Sequence, residues 1–234
     1  MHILAIDTSN QALGVALLRD NEIVGEIVTN IAKNHSIRLM PAIDYLMKEV
    51  NITPEQLDKI VVAKGPGSYT GVRIGLTTAK TLAWSLQIPI VGVSSLEALA
   101  YRATFSSALI CPFFDARRGL VYTGLYEMKN GKLELVEEER NILFTEWLEH
   151  LVNKKKQVVF LSPDIKKHAE LIKSKLGERG EIPEMAYHIA KPSDLVLAAI
   201  NKQIDETHSL TPNYLRLAEA EVNWLKNQKE KQNG

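Results

Sequence analysis

Apolar residues fall along this chain in two patterns, short blocks rich in Ile, Leu and Val and longer stretches with helical spacing. Ile3 to Asp7, Leu13 to Leu18 and Glu22 to Thr29 are such blocks, separated by Thr8-Ser9-Asn10-Gln11 and Arg19-Asp20-Asn21. They predict three antiparallel strands joined by short turns. From His35 to Val50, Leu39, Ile43, Leu46 and Val50 recur with helical spacing, and Met40 and Met47 widen the apolar face. Pro41 sits early in that helix and removes at most one backbone bond. Leu57 to Ala63 reads as a buried strand broken by Gly65-Pro66-Gly67, after which a helix starts near Ser68, a good N-cap, and runs to about Gln87. Ile88 to Val93 is a further strand, and Ser94 with Glu97 at capping-box spacing opens a helix through Arg102.

The same order then returns without repeating the sequence. Ala108 to Phe114, Leu120 to Glu127 and Lys132 to Glu138 predict three strands, the last two joined at Asn130-Gly131, a strong hairpin signal. A helix over Thr145–Asn153, a strand over Gln157–Leu161 and a helix from Asp164 to Leu176, stopped at Gly177, follow. Met185 to Ile189 reads as a weak strand, and Pro192-Ser193 opens a helix to about Asp205. Two βββαβαβα units in tandem are the ribonuclease H-like arrangement of actin, Hsp70 and sugar kinases, the ASKHA architecture. The expected fold is therefore α/β with lobes at residues 1–102 and 103–210, then a connector and tail over 211–234. In the polar tail Leu217, Val222, Trp224 and Leu225 are the anchors, and Gln228 to Gly234 are expected to be disordered.

On the helix after the Gly-Pro-Gly turn, Gly71, Gly75, Ala79 and Ala83 form a row of small side chains that lets another backbone approach closely. Tyr69, Arg73, Lys80 and Trp84 fall on a different side, and either a subunit contact or a core with a partner for each charge accommodates them. Composition narrows the function. Lys plus Arg and Asp plus Glu number 28 each, so nothing favours this chain holding nucleic acid alone, and a partner must supply charge if RNA is involved. Cys111 is the single cysteine, which excludes an intramolecular disulfide and an all-cysteine metal site. With neither a basic leader nor an apolar run of spanning length, the expected location is cytoplasmic, away from membranes.

Asp7 ends the first predicted strand and Asp115 the first strand of the second unit, so both carboxylates are expected to face the cleft between lobes, where kinase-like members of this architecture hold hydrated Mg²⁺ beside a nucleotide. Thr8, Ser9 and Asn10 add donors for a phosphate, which makes Asp7, Thr8 and Ser9 the candidate cofactor residues. The other reading is that these residues only close turns, as Asp, Ser and Asn do readily. Gly65-x-Gly67-x-x-x-Gly71 lacks the acid that grips a ribose and the Gly-Lys-Ser/Thr of a P-loop, so its glycines are read as devices for close helix approach at a protein contact. The six histidines include no pair at helical ligand spacing, and no metal site is expected. Arg117 and Arg118 fit either an anion site or a salt-bridged hairpin tip, and the runs at 154–156 and 166–167 read as solvated lysines.

Together these stretches resemble the bacterial TsaB family, formerly YeaZ, part of the machinery that makes N6-threonylcarbamoyladenosine in transfer RNA. The resemblance runs from Ile3 to about Arg216: Ile-Leu-Ala-Ile-Asp-Thr-Ser at 3–9, His35-Ser36 with Leu39 and Pro41, Gly-Pro-Gly-Ser-Tyr-Thr-Gly-Val-Arg-Ile-Gly at 65–75, Asp-Ala-Arg-Arg at 115–118, and Pro-x-Tyr-Leu-Arg at 212–216. Leu217 departs from it, where a proline is expected. The resemblance implies a non-catalytic subunit that pairs with itself when free and with the catalytic paralogue TsaD in the assembly, further joined by the ATPase TsaE. It places the contact at His35, Ser36, Leu39, Met40 and Ile43 on one helix and Thr70, Gly71, Arg73, Ile74, Gly75, Thr77 and Thr78 on the next. No cofactor is expected in the isolated chain, ATP or ADP belonging to the assembled complex, and tRNA is reached only through the complex. TsaD carries a His-x-x-x-His metal pair, and Ser95 and Leu99 stand where those histidines fall; neither replaces an imidazole. A stand-alone kinase similar to type III pantothenate kinase, with Asp7 on Mg²⁺, is the alternative for two such lobes.

Overall fold

The computed structural model describes residues 1–31 and 34–215. Arg216, Leu217, the tail anchors Val222, Trp224 and Leu225, and Gln228 to Gly234 lie outside the described residues. In chain order the first half comprises β1 (His2–Asp7), β2 (Ala12–Arg19), β3 (Glu22–Asn30), α1 (His35–Glu49), β4 (Lys59–Ala63), α2 (Tyr69–Leu86), β5 (Ile90–Val93) and α3 (Ser95–Ala100). The second half comprises β6 (Leu109–Asp115), β7 (Leu120–Lys129), β8 (Lys132–Leu143), α4 (Phe144–Asn153), β9 (Val158–Leu161), α5 (Ile165–Leu176), β10 (Gly180–Glu181) and α6 (Pro192–Ala199).

The two sheets share one topology. The first is ordered β3-β2-β1-β4-β5 and the second β8-β7-β6-β9-β10, each with two antiparallel pairs followed by two parallel ones. Tandem ribonuclease H-like lobes of the ASKHA type are thus the architecture. Local signals act where the residues predict: Ser68 caps α2 by accepting from the Gly71 N–H, Ser94 caps α3, and Gly177 ends α5 with φ of 56°.

Helix packing links the lobes. α1 and α2 cover the outer face of the first sheet, setting Leu39, Ile43, Leu46, Leu76, Ala79 and Ala83 against β-strand residues such as Leu4, Ile6, Val15 and Ile60. α4 and α5 do the same for the second sheet around Phe113, Phe144, Trp147 and Phe160. The inner helices are exchanged: α3 places Leu96, Leu99 and Ala100 against the second sheet, while α6 places Leu195, Val196 and Ala199 against the first. The segment 192–199, counted with the second lobe from the sequence, therefore completes the core of the first. Parting the lobes would expose Leu96, Leu99 and Leu195, all fully buried, at about 1.5–3 kcal/mol each.

Three expected elements differ, one of them β8, which runs to Leu143 and not Glu138. Met185–Tyr187 is a 3₁₀ turn and not a strand, because buried His188 is tied on both ring nitrogens: Nδ1 accepts from the Ser162 N–H (3.2 Å) and Nε2 lies 2.9 Å from the Pro183 carbonyl. The fifth strand is the Gly180–Glu181 pair instead. α6 stops at Ala199, short of Asp205, because the chain turns to satisfy the edge of β5. Asp205 donates its N–H to the Ile90 carbonyl (2.9 Å), and its carboxylate accepts from the Gly92 N–H (2.7 Å).

Candidate functional site

The Gly-Pro-Gly turn and α2 are organised by their approach to the end of β1. A Cβ added at Gly67 would lie 2.1 Å from the Ser9 carbonyl oxygen, one at Gly71 would lie 2.2 Å from that of Thr8, and one at Gly75 would meet Thr8 Oγ1. The Ser68 N–H donates to the Ser9 carbonyl (2.7 Å), and Thr8 Oγ1 donates to the Gly71 carbonyl (2.8 Å). The small-residue row therefore receives the protein's own strand, which corrects the expectation that it faces a partner.

That packing also decides the cofactor candidates. Thr8 and Ser9 are buried under α2, with the Thr8 hydroxyl committed to Gly71 and the Ser9 hydroxyl accepting from Asn10 Nδ2 (3.1 Å). Buried in this way, neither hydroxyl is exposed to the cleft in which the sequence expectation placed them. Asp7 accepts from the Ser9 N–H (2.8 Å) and borders a recess of about 20 Å³ with Asn10, Phe114 and His188. Burial pushes its carboxyl above the ordinary range, against the Ser9 hydrogen bonds and the His35 field. Asp115 repeats the turn in the second lobe, accepting from the Arg117 N–H (2.7 Å), and it also pairs with Lys167 (3.1 Å). Burial raises it, yet the Arg117 N–H and the Lys167 ammonium outweigh that and hold it low. Asp115, with Arg117, lines a cavity of about 650 Å³ between the lobes, walled also by Asn10, His35, Ser68, Tyr69 and Tyr122. Both acids thus close turns, and of the two only Asp115 lines this cavity.

Metal chemistry has no donor set at the position the resemblance marks. Leu99 is packed against the second sheet and Ser95 is buried at the start of α3, and no group of three potential ligands occurs among the described residues. His35 ties the start of α1 to the β1–β2 turn, its Nε2 lying 2.8 Å from the Asn10 carbonyl, while the cap itself is Asn34.

The exposed part of α1 and α2 forms a second feature. A groove of about 480 Å³ is lined by Ser36, Tyr69, Thr70, Arg73, Ile74, Thr77 and Thr78, and Met40 stands exposed on α1. Leu39, Ile43, Gly71 and Gly75, expected on the contact, are instead buried in the first lobe. Ile37 of α1 is 70 % exposed, and its position off the Leu39–Ile43–Leu46 face is legible in the periodicity. Tyr214, part of the Pro-x-Tyr-Leu-Arg stretch, reaches α2 only because the fold brings the connector over it. There its ring stacks on Tyr69 with centroids 5.6 Å apart and its hydroxyl accepts from Arg73 Nε at 2.7 Å. Lys80 is likewise met by the connector, donating to the carbonyls of His208 (3.0 Å) and Leu210 (2.9 Å).

Residues 22–224 match the family model described as TsaD: tRNA N6-adenosine threonylcarbamoyltransferase. The chain is 53 % identical to the tRNA threonylcarbamoyladenosine biosynthesis protein TsaB of Bacillus subtilis, over 98 % of this chain and 100 % of that protein. It is 32 % identical to the Escherichia coli protein of the same name, over 63 % of this chain and 70 % of the relative. Among solved structures, YeaZ from Pseudomonas aeruginosa superposes with a TM-score of 0.75 at 25 % identity, covering 92 % of this chain and 99 % of that one.

Proposed function

The chain belongs to the TsaB family, and we propose that it is a non-catalytic subunit of the assembly that forms N6-threonylcarbamoyladenosine at position 37 of ANN-decoding tRNA. In this reading it binds and stabilises the catalytic paralogue TsaD through the exposed α1–α2 face, pairs with itself by the same face when free, and works in the cytoplasm with TsaE. The full-length likeness to the Bacillus subtilis protein carries the proposal. Three features of the molecule support it. Ser95 and Leu99, which the resemblance sets at the TsaD metal pair, are buried and are not imidazoles. The expected phosphate-binding residues Thr8 and Ser9 are buried against α2, which favours ATP or ADP binding in the assembly over binding by this chain alone. The balanced charge leaves tRNA to be held by partners. No helix among the described residues is long and apolar enough to cross a membrane.

The test is depletion of this protein followed by quantification of threonylcarbamoyladenosine in total tRNA by mass spectrometry. The level falls on depletion and returns when the gene is restored. An unchanged level would overturn the proposal.

A further inference from the structure

Arg73 is held in an unusual way for an exposed side chain. Its guanidinium carbon lies 3.8 Å from the centroid of the Tyr69 ring, and its Nε donates to the Tyr214 hydroxyl at 2.7 Å. The two tyrosines stack on each other with ring planes 27° apart. Tyr214 is itself fixed by its neighbours. The Asn213 N–H donates to the Lys64 carbonyl (2.7 Å), at the entrance to the Gly-Pro-Gly turn, and Asn213 Nδ2 donates to Glu139 Oε2 (3.1 Å) on β8. A long, rotamer-rich side chain has thus been ordered before any partner arrives, which removes part of the entropy that binding would otherwise cost.

No carboxylate among the described residues pairs with Arg73, whose nearest attractive groups are the two tyrosines. After the bond to Tyr214 the guanidinium keeps about four further N–H donors in a planar fork. The groove beside it is otherwise lined by Ser36, Tyr69, Thr70, Ile74, Thr77 and Thr78, so Arg73 is its sole charge. One preorganised cation in an uncharged groove is complementary to one carboxylate. A nucleic-acid backbone would instead call for several cations together.

We infer that Arg73, clamped by Tyr69 and by Tyr214 of the connector, receives an Asp or Glu side chain of the protein that covers the α1–α2 groove, and that Tyr214 belongs to this contact surface as a positioning residue. The inference rests on the reading that TsaD sits on this face. The planar fork of donors that a guanidinium carries suits a planar carboxylate.

The experiment measures the affinity of the full chain for purified TsaD of the same organism by titration calorimetry at about 50 and about 300 mM salt, a range over which exposed charge pairs are screened. R73Q weakens binding by about 30-fold at low salt, the size of a central arginine anchor, and largely abolishes the salt dependence seen with the unaltered chain. Y214F keeps the ring stack, loses the hydroxyl acceptor and weakens binding by about 3–5-fold, the size of one hydrogen bond. In the R73Q background Y214F adds nothing, because its effect passes through Arg73. The inference is overturned if R73Q binds within about twofold of the unaltered chain, if Y214F acts equally with and without Arg73, or if R73Q weakens only complexes that include tRNA. A chain that fails to bind TsaD at all overturns the underlying pairing, an outcome distinguishable from intact pairing that ignores Arg73.

Discussion

Replacing Gly71 with alanine separates two accounts of the small-residue row. If the row faced a partner, an added methyl would leave the isolated chain as stable as before or more so, since alanine favours a helix over glycine by about 1 kcal/mol. The fold says otherwise. The new Cβ would lie 2.2 Å from the Thr8 backbone oxygen, inside the first lobe. Nonbonded heavy atoms need roughly 3.5 Å, so α2 would move off β1 by about 1 Å. The site cannot yield cheaply, because the obstructing atom is backbone in a buried strand end and not the tip of a flexible side chain. Overpacking of this kind costs about 1–3 kcal/mol. The same shift strains the Thr8 Oγ1 to Gly71 carbonyl bond at 2.8 Å, worth about 1 kcal/mol. After the helix-propensity gain, the net loss is about 1–3 kcal/mol, or roughly 4–8 °C in Tm at a mid-range loss in a chain of this size. Differential scanning calorimetry of the isolated chain reads this directly, with exposed Thr77→Ala as a control expected to stay within about 0.5 kcal/mol. A Tm for Gly71→Ala equal to or above that of the parent would refute the assignment of the row to the lobe core.

Two further outcomes follow from buried groups. Asp194, 6 % exposed on α6, is pushed up to about 6 by burial, only partly offset by the Lys191 N–H and Arg102. The native state therefore keeps a proton that the unfolded chain, near 3.8, has lost, so this group's stabilising contribution fades as pH rises from about 4 to about 6, by up to about 3 kcal/mol. D194N lacks that decline, and urea midpoints measured across this interval should show the two proteins diverging; parallel curves would rule it out. Cys111 is fully buried, donates no exposed thiol and is pushed up to about 11 by burial. A thiol reagent should label it roughly 1,000-fold more slowly in the folded protein than in urea, since reaction waits on opening; rapid stoichiometric labelling of the native chain would contradict this placement.

Some of this molecule is determined by local sequence. The strand-turn-helix at 60–86, its Ser68 cap, the Asn130-Gly131 hairpin and the doubled element order are legible because hydrogen bonding between near neighbours and side-chain periodicity set them. So is the helical face of Leu39, Ile43 and Leu46, although periodicity alone does not say that what it meets is the chain's own sheet. The partner of a surface is a long-range fact. Only the tertiary structure decides that the glycines at 67, 71 and 75 receive Thr8 and Ser9, that α3 and α6 exchange sheets, and that Tyr214 crosses 141 positions of sequence to hold Arg73. A row of small residues specifies that something comes close. Which backbone comes is settled by the order of strands in the sheet, where β1 and β4 lie side by side and leave α2 no other place to rest.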